Sequence, residues 1–176
     1  MIHVLGLDLS MLSTGWALLD YETGDLVDCG TITTTPDDSP GQRLAHIRDR
    51  VMGILNDYRL ACVDVALEEG IVHRNRQVSR ELAGLYYVIW LACFDRLGVD
   101  PIDVNISTAK RAAAEYMRAQ GFVVQGAGAK DIVLLTATRR WGERANQNDI
   151  ADACWIAEVA RRQIQRRYAD MVEAGE

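Results

Sequence analysis

The sequence predicts an α/β fold, a five-stranded mixed sheet with helices on both faces. Three observations carry this. Short strand-like runs fill the opening third of the chain, two further apolar runs are set apart by long helical patterns, and the chain closes on helical periodicity. Its 176 residues show no internal repeat, low-complexity tract or linker. That length favours one domain, placed at residues 1–168, with 169–176 as a frayed tail.

Ile2–Leu9 (IHVLGLDL) reads as a buried strand, and Thr14–Asp20 alternates as a second. A turn at Glu22-Thr23-Gly24-Asp25 leads to a third strand, Leu26–Thr33, which completes an antiparallel meander. Ser39-Pro40 is a helix-start signal. The period of Leu44, Ile47, Val51, Ile54 and Leu55 then predicts a helix over Gly41–Tyr58. Ala61–Leu67 is valine-rich and predicts a central strand that ends at Glu68. Leu82, Leu85, Ile89, Cys93 and Leu97 predict a long helix over Asn75–Leu97. Pro101–Ile106 reads as the fifth strand, and Ser107 or Thr108 caps a helix to about Arg118. Further helices are predicted over Ala129–Arg140 and Asn148–Tyr168.

Composition excludes several classes. Apolar residues make up 49% and charged residues 25%, too apolar for a disordered chain. No apolar run reaches the length of a membrane span. Met1–Ser10 carries Asp8 inside its apolar run and has no basic start, so it does not read as a signal peptide. The expected location is therefore the cytoplasm, of a bacterial or phage-infected cell on the resemblance below. Cys29, Cys62, Cys93 and Cys154 stand far apart with no CxxC or Cys/His cluster, which argues against zinc and for reduced core residues.

The net charge of −6 argues against a general polyanion binder, but its distribution is uneven. Residues 1–72 hold 4 Lys and Arg against 12 Asp and Glu, whereas residues 73–176 hold 15 against 13. Basic residues cluster at Arg74, Arg76 and Arg80, at Arg139, Arg140 and Arg144, and at Arg161, Arg162, Arg166 and Arg167. Such clusters are either solvated helix faces or a phosphate-facing surface.

Acids occupy three unusual places. Asp8 interrupts a core-like strand, where a lone carboxylate is costly unless paired or metal-bound. Glu68 and Glu69 close the fourth strand, and at most one of them shares a face with Asp8. Asp149 and Asp152 are three apart at the start of the last helix and share one face. Each place alone is equally an ordinary strand-end or helix-cap acid. Together they form a hard oxygen-donor set of the kind that holds Mg²⁺ or Mn²⁺. Two such ions can activate a water and stabilise the leaving oxygen of a phosphodiester.

Gly6-Leu7-Asp8-Leu9-Ser10 with Ser13-Thr14-Gly15-Trp16-Ala17 resembles the first-strand motif of RuvC-type Holliday junction resolvases. Ala66-Leu67-Glu68-Glu69 resembles the family's second motif, and Asn148-Asp149-Ile150-Ala151-Asp152-Ala153 its closing motif. The resemblance spans residues 2–160 and implies a ribonuclease H-like fold, a homodimer, and metal-dependent cutting of four-way junctions and related branched DNA. Its place would be recombination and repair, without a membrane. It implies that Asp8, Glu68, Asp149 and Asp152 are catalytic acids holding two Mg²⁺, with Mn²⁺ as a substitute. Lys130 would be an electrostatic helper at the cut, with Lys110 and Lys130 facing DNA. Arg74, Arg76 and Arg80, and the C-terminal arginines, would hold duplex arms, and the Leu82–Leu97 helix would form the dimer seam.

The chain departs from the cellular enzymes at three points. It has an insertion between Lys110 and Lys130, Gly70-Ile71-Val72 where they carry an aromatic residue that stacks on bases, and Glu69 at an uncharged position. These departures resemble resolvases encoded by bacteriophages. Two other readings share parts of the pattern: a ribonuclease H-like nuclease acting on RNA–DNA hybrids or single strands, and a nonenzymatic actin-like nucleotide-binding module.

Overall fold

The computed structural model describes residues 2–57, 63–69, 75–122 and 128–175. The five strands are β1 (His3–Asp8), β2 (Ser13–Asp20), β3 (Leu26–Thr33), β4 (Val63–Glu68) and β5 (Ile102–Val104). They form one sheet in the order β3-β2-β1-β4-β5. The β1–β2 and β2–β3 pairs are antiparallel, and the β1–β4 and β4–β5 pairs are parallel. The meander and the mixed sheet therefore stand as the sequence predicts. The helices are α1 (Pro40–Asp57), α2 (Arg76–Leu97), α3 (Ile106–Ala119), α4 (Ala129–Trp141) and α5 (Asn148–Ala174). Among the described residues no helix is long and apolar enough to cross a membrane.

Strand alternation divides the core in two. Leu5, Leu7, Leu18, Val65 and Leu67 pack on one face with Ile47, Val51, Leu55, Leu85 and Ile89 of α1 and α2. Val4, Ala17, Leu19, Ala66 and Val104 pack on the other with α3, α4 and α5. The helix α5 is buried on every side from Ala153 to Ala160, between the sheet and α3 with α4. Trp155 is its anchor: fully buried, it donates from Nε1 to Thr136 Oγ1 at 3.1 Å and meets the Trp141 ring at 5.0 Å.

Two glycines let α5 reach the sheet. A Cβ on Gly6 would stand 2.3 Å from the Ala153 carbonyl oxygen, and one on Gly15 would stand 2.0 Å from that of Asp149. These are approaches that only a residue without a side chain allows. Gly15 pairs with Asp8 across β1–β2, so the same contact brings the start of α5 beside the end of β1.

Helix boundaries differ from the sequence expectation at informative places. Ser39 and Gln42 form a reciprocal capping box at α1. Asn105, rather than Ser107 or Thr108, caps α3, its side chain accepting from the Ser107 amide at 2.9 Å. The fifth strand is trimmed to Ile102–Val104 because Asn105 turns the chain into that cap. A short 3₁₀ turn, Glu143–Ala145, links α4 to α5. The last helix runs past the expected Tyr168 to Ala174 and ends on Gly175 in the left-handed conformation. Cys93 and Cys154 are buried free thiols, whereas Cys29 is only half-buried, and Cys62 lies outside the described residues.

Candidate active site

The parallel strands β1 and β4 end side by side. Their register pairs Leu7 with Leu67, one step before Asp8 and Glu68. Alternation then puts Asp8 with Val4 and Gly6, and Glu68 with Ala66, on the α5 side of the sheet. Glu69 goes elsewhere and accepts a hydrogen bond from Asn105 Nδ2 at 2.8 Å. The choice between the two glutamates is thereby settled for Glu68 as the partner of Asp8.

Asp149 and Asp152 do not serve as caps. The N-cap of α5 is Gln147, which makes no side-chain cap bond. Asp149 Oδ2 instead accepts from Ser13 Oγ at 2.5 Å, which ties the first turn of α5 to the start of β2. Thr14 tightens the β1–β2 loop, its hydroxyl donating to the Ser10 carbonyl at 2.8 Å and accepting from the Ser10 amide at 3.1 Å.

One cleft of about 700 Å³ collects Asp8, Glu68, Asp149, Asp152, Lys110 and Lys130. The ends of two strands and the first turns of α3, α4 and α5 thus converge from distant parts of the chain. This position, beyond the carboxyl ends of parallel strands, is where open α/β sheets place their ligands. Met11, Leu12, Pro36, Val78 and Leu82 form an apolar wall on the same cleft. Arg43 also lines it, its Nη2 donating to the Met11 carbonyl at 2.7 Å. Arg76 and Arg80 are exposed on the first turns of α2 and do not line the cleft, and Arg74 lies outside the described residues.

The acids perturb one another. Burial pushes the Asp8 carboxyl far above its ordinary value, and Glu68, through a hydrogen bond and its charge, raises it further with Asp152 and Asp149. Burial also raises Asp152. Lys110 and Lys130 pull it down, while Glu68 and Asp149 push it up. Asp8 and Asp152 therefore hold their protons more tightly than free carboxyls do.

The donor set fits a hard divalent cation. All four carboxylates supply oxygen, and their crowding is relieved by positive charge. Among the described residues, no group of three or more Asp, Glu, His or Cys side chains is placed to hold a metal ion by itself. Water and substrate oxygens would complete the coordination of a cation bound there.

Sequence reasoning missed the roles of Ser13, Arg43 and the apolar wall. Ser13 lies inside the first motif, and its signal was the run Ser13-Thr14-Gly15 directly opposite Asp8.

No protein-family model matches the chain. The crossover junction endodeoxyribonuclease RuvC of Xanthobacter autotrophicus is 35% identical over 115 residues, covering 64% of this chain and 62% of its own. That of Lawsonia intracellularis is 28% identical over 121 residues, covering 68% and 70%. The chain spans about half of the Ehrlichia canis relative, 51% of its length, at 34% identity. A solved structure of Thermus thermophilus RuvC in complex with a Holliday junction substrate superposes with a TM-score of 0.71 over 89% of this chain and 90% of its own, at 21% identity. A second structure of that protein gives a TM-score of 0.68 at 23% identity. The chain is thus similar in sequence to RuvC endonucleases over about two thirds of its length, and its fold is the ribonuclease H-like fold of the solved RuvC structures.

Proposed function

We propose that the protein is a metal-dependent endonuclease that resolves Holliday junctions and related branched DNA by paired nicks, leaving 5′-phosphates. The observation that carries this reading is the convergence of Asp8, Glu68, Asp149 and Asp152 with Lys110 and Lys130 in one cleft. It is supported by the shared fold with a RuvC bound to a Holliday junction. Residues 1–168 act as one nuclease domain, in the cytoplasm of a bacterial or phage-infected cell.

The four acids hold the divalent ions, two Mg²⁺ per site with Mn²⁺ as a substitute. Bound there, the ions supply an activated water and stabilise the leaving oxygen. The chain's own residues do the rest. Ser13 fixes the rotamer of Asp149, so that its free oxygen is aimed before substrate arrives. Lys110 and Lys130 draw the scissile phosphate into a cleft that is otherwise anionic, and Lys130 offsets the charge that grows on it. Arg76 and Arg80 hold duplex outside the cleft.

A homodimer suits a substrate of near two-fold symmetry that needs two matched cuts. Tyr87, Leu91 and Phe94 recur along one stripe of α2 and are 68%, 59% and 44% exposed. Gly84 continues that stripe with open space above it, so two copies of α2 can approach closely.

The test is cleavage of a labelled four-way junction beside linear duplex and RNA–DNA hybrid, with Mg²⁺ or EDTA, using wild type and Asp8→Asn. Paired, metal-dependent nicks in the junction alone, lost in the variant, are expected. Preferential cleavage of the hybrid would overturn the substrate, and cleavage that persists in Asp8→Asn would overturn the site.

A further inference from the structure

A second opening lies outside the cleft, on the far flank of α3. Thr108, Arg111 and Glu115 of α3 face Arg162, Gln163 and Arg166 of α5 across a pocket of about 110 Å³ floored by Ala112 and Val159. Three arginines and one carboxylate line it, and Glu115 is engaged by Arg111 only loosely, at 3.8 Å.

Arg162 is not an ordinary surface arginine. Its Nε donates at 2.7 Å to Oε1 of Glu158, which is fully buried. Arg140 and Arg161 hold the same carboxylate at 3.0 and 2.7 Å. The Arg162 side chain is thus fixed from beneath while about a third of it stays accessible, 35% of its side-chain surface. An arginine ordered in advance loses little entropy when it binds an anion, and its planar fork matches phosphate oxygens.

The placement relates this pocket to the cleft. Asp152, Val159, Gln163 and Arg166 are spaced to share one face of α5. The helix α3 lies across that face, with Ile106 and Lys110 on the cleft side and Thr108 and Arg111 on the other. Along α5, Arg162 and Arg166 lie about 15 and 21 Å from Asp152 at ~1.5 Å per residue. For a duplex axis running along α5, successive phosphates of one strand are spaced by ~3.4 Å, and the separation corresponds to about four to six nucleotides.

We propose that this pocket is a second phosphate site, which grips the DNA backbone roughly four to six nucleotides from the cut. It rests on the nuclease reading above and adds to it a fixed contact on one arm of the junction. Thr108 and Gln163 supply neutral hydrogen-bond donors, and Arg111, Arg162 and Arg166 supply the charge.

The test uses the full chain and the double variant Arg111→Ala with Arg166→Ala. Both side chains are exposed, and Arg162 is left in place to keep Glu158 paired. Junction affinity is measured against salt concentration, and nicking is measured at saturating junction. Loss of two phosphate contacts lowers the slope of log affinity against log salt by about 1.8. Methylphosphonate linkages scanned along each arm weaken wild-type binding when they fall in the four-to-six window, and they leave the double variant indifferent. An unchanged salt slope, or a scan with no window, overturns the proposal while junction nicking itself stands. Wild type that neither binds nor nicks junctions overturns the nuclease reading, and this site with it. Inorganic phosphate, titrated at matched ionic strength without DNA, is expected not to saturate the pocket. Saturable binding there would make it a site for free anions instead.

Discussion

Replacing Gly15 by alanine tests whether the approach of α5 to the sheet builds the cleft. A Cβ at Gly15 would stand 2.0 Å from the Asp149 carbonyl oxygen, 2.4 Å from its carbon and 3.0 Å from its Cβ. All three atoms belong to the first turn of α5, so no flexible side-chain tip can yield. Restoring even a tight contact requires backbone to separate by about 1 Å, and packed interiors absorb such a shift poorly. Overpacking of this kind costs roughly 1–3 kcal/mol. The larger effect falls on activity, because Asp149 and Asp152 move with that turn, and a misplacement of about 1 Å costs on the order of a hundredfold. The assay pairs urea denaturation with single-turnover nicking of a four-way junction. Gly53→Ala is the control: it sits in α1 with nothing within 4 Å, and alanine there stabilises by about 0.5–1 kcal/mol. A Gly15→Ala protein as stable and as active as wild type would refute the reasoning.

Three further outcomes are expected. Ser13→Ala removes the hydroxyl that orients Asp149 and weakens the apparent metal affinity about 10- to 100-fold, read as the Mg²⁺ concentration for half-maximal nicking; an unchanged midpoint counts against the positioning role. Glu158→Gln leaves three arginines without their buried partner and costs about 3–5 kcal/mol by denaturant titration at neutral pH. Burial alone would raise the Glu158 carboxyl, but hydrogen bonds and charge from Arg161, Arg140 and Arg162 outweigh it and hold it below the ordinary 4.5. That stability is present above pH 4.5 and is lost as pH falls through the depressed folded value, so wild type shows an acid-side loss that the variant lacks. Leu91→Asp puts a charge in the exposed α2 stripe, and sedimentation should show a folded monomer; a protein still dimeric would move the seam elsewhere.

Local patterns made most of the fold legible. Strand alternation, the Ser39-Pro40 start signal and the Leu82–Leu97 period each act within a few residues, and the structure keeps all of them. What failed to read were competitions between neighbours. Asn105 outcompetes Ser107 and Thr108 as a cap because its side chain reaches the Ser107 amide from a position still extended. The end of α5 could not be read either, since the exposed residues after Tyr168 carry no core period to mark a stop. The acids of the site were visible because a carboxylate inside an apolar run is conspicuous. The tie from Ser13 to Asp149 was not, because it joins residues 136 positions apart through a register that only the folded sheet defines.

The start and the middle of α5 explain how a fold tolerates so many acids in one cleft. At its start, burial and the neighbouring acids raise the Asp8 and Asp152 carboxyls. Gly6 and Gly15 permit the contact there but supply little attraction. Midway along the helix, Arg161 donates to the carbonyl of Tyr21 at 3.1 Å while it holds Glu158, and Trp141 Nε1 donates to the carbonyl of Gly24 at 2.9 Å. Both bonds seize the β2–β3 turn, the end of the meander remote from the cleft. With Trp155 and its neighbours buried between, the helix is clamped along a stretch that begins one turn beyond the acids. The position of the acids is therefore held by packing and ion pairs outside the cleft. The separation along α5 from Asp149 to Glu158 is about 14 Å, so loosening the clamp should lower nicking through displacement of the acids, without touching any group in the cleft.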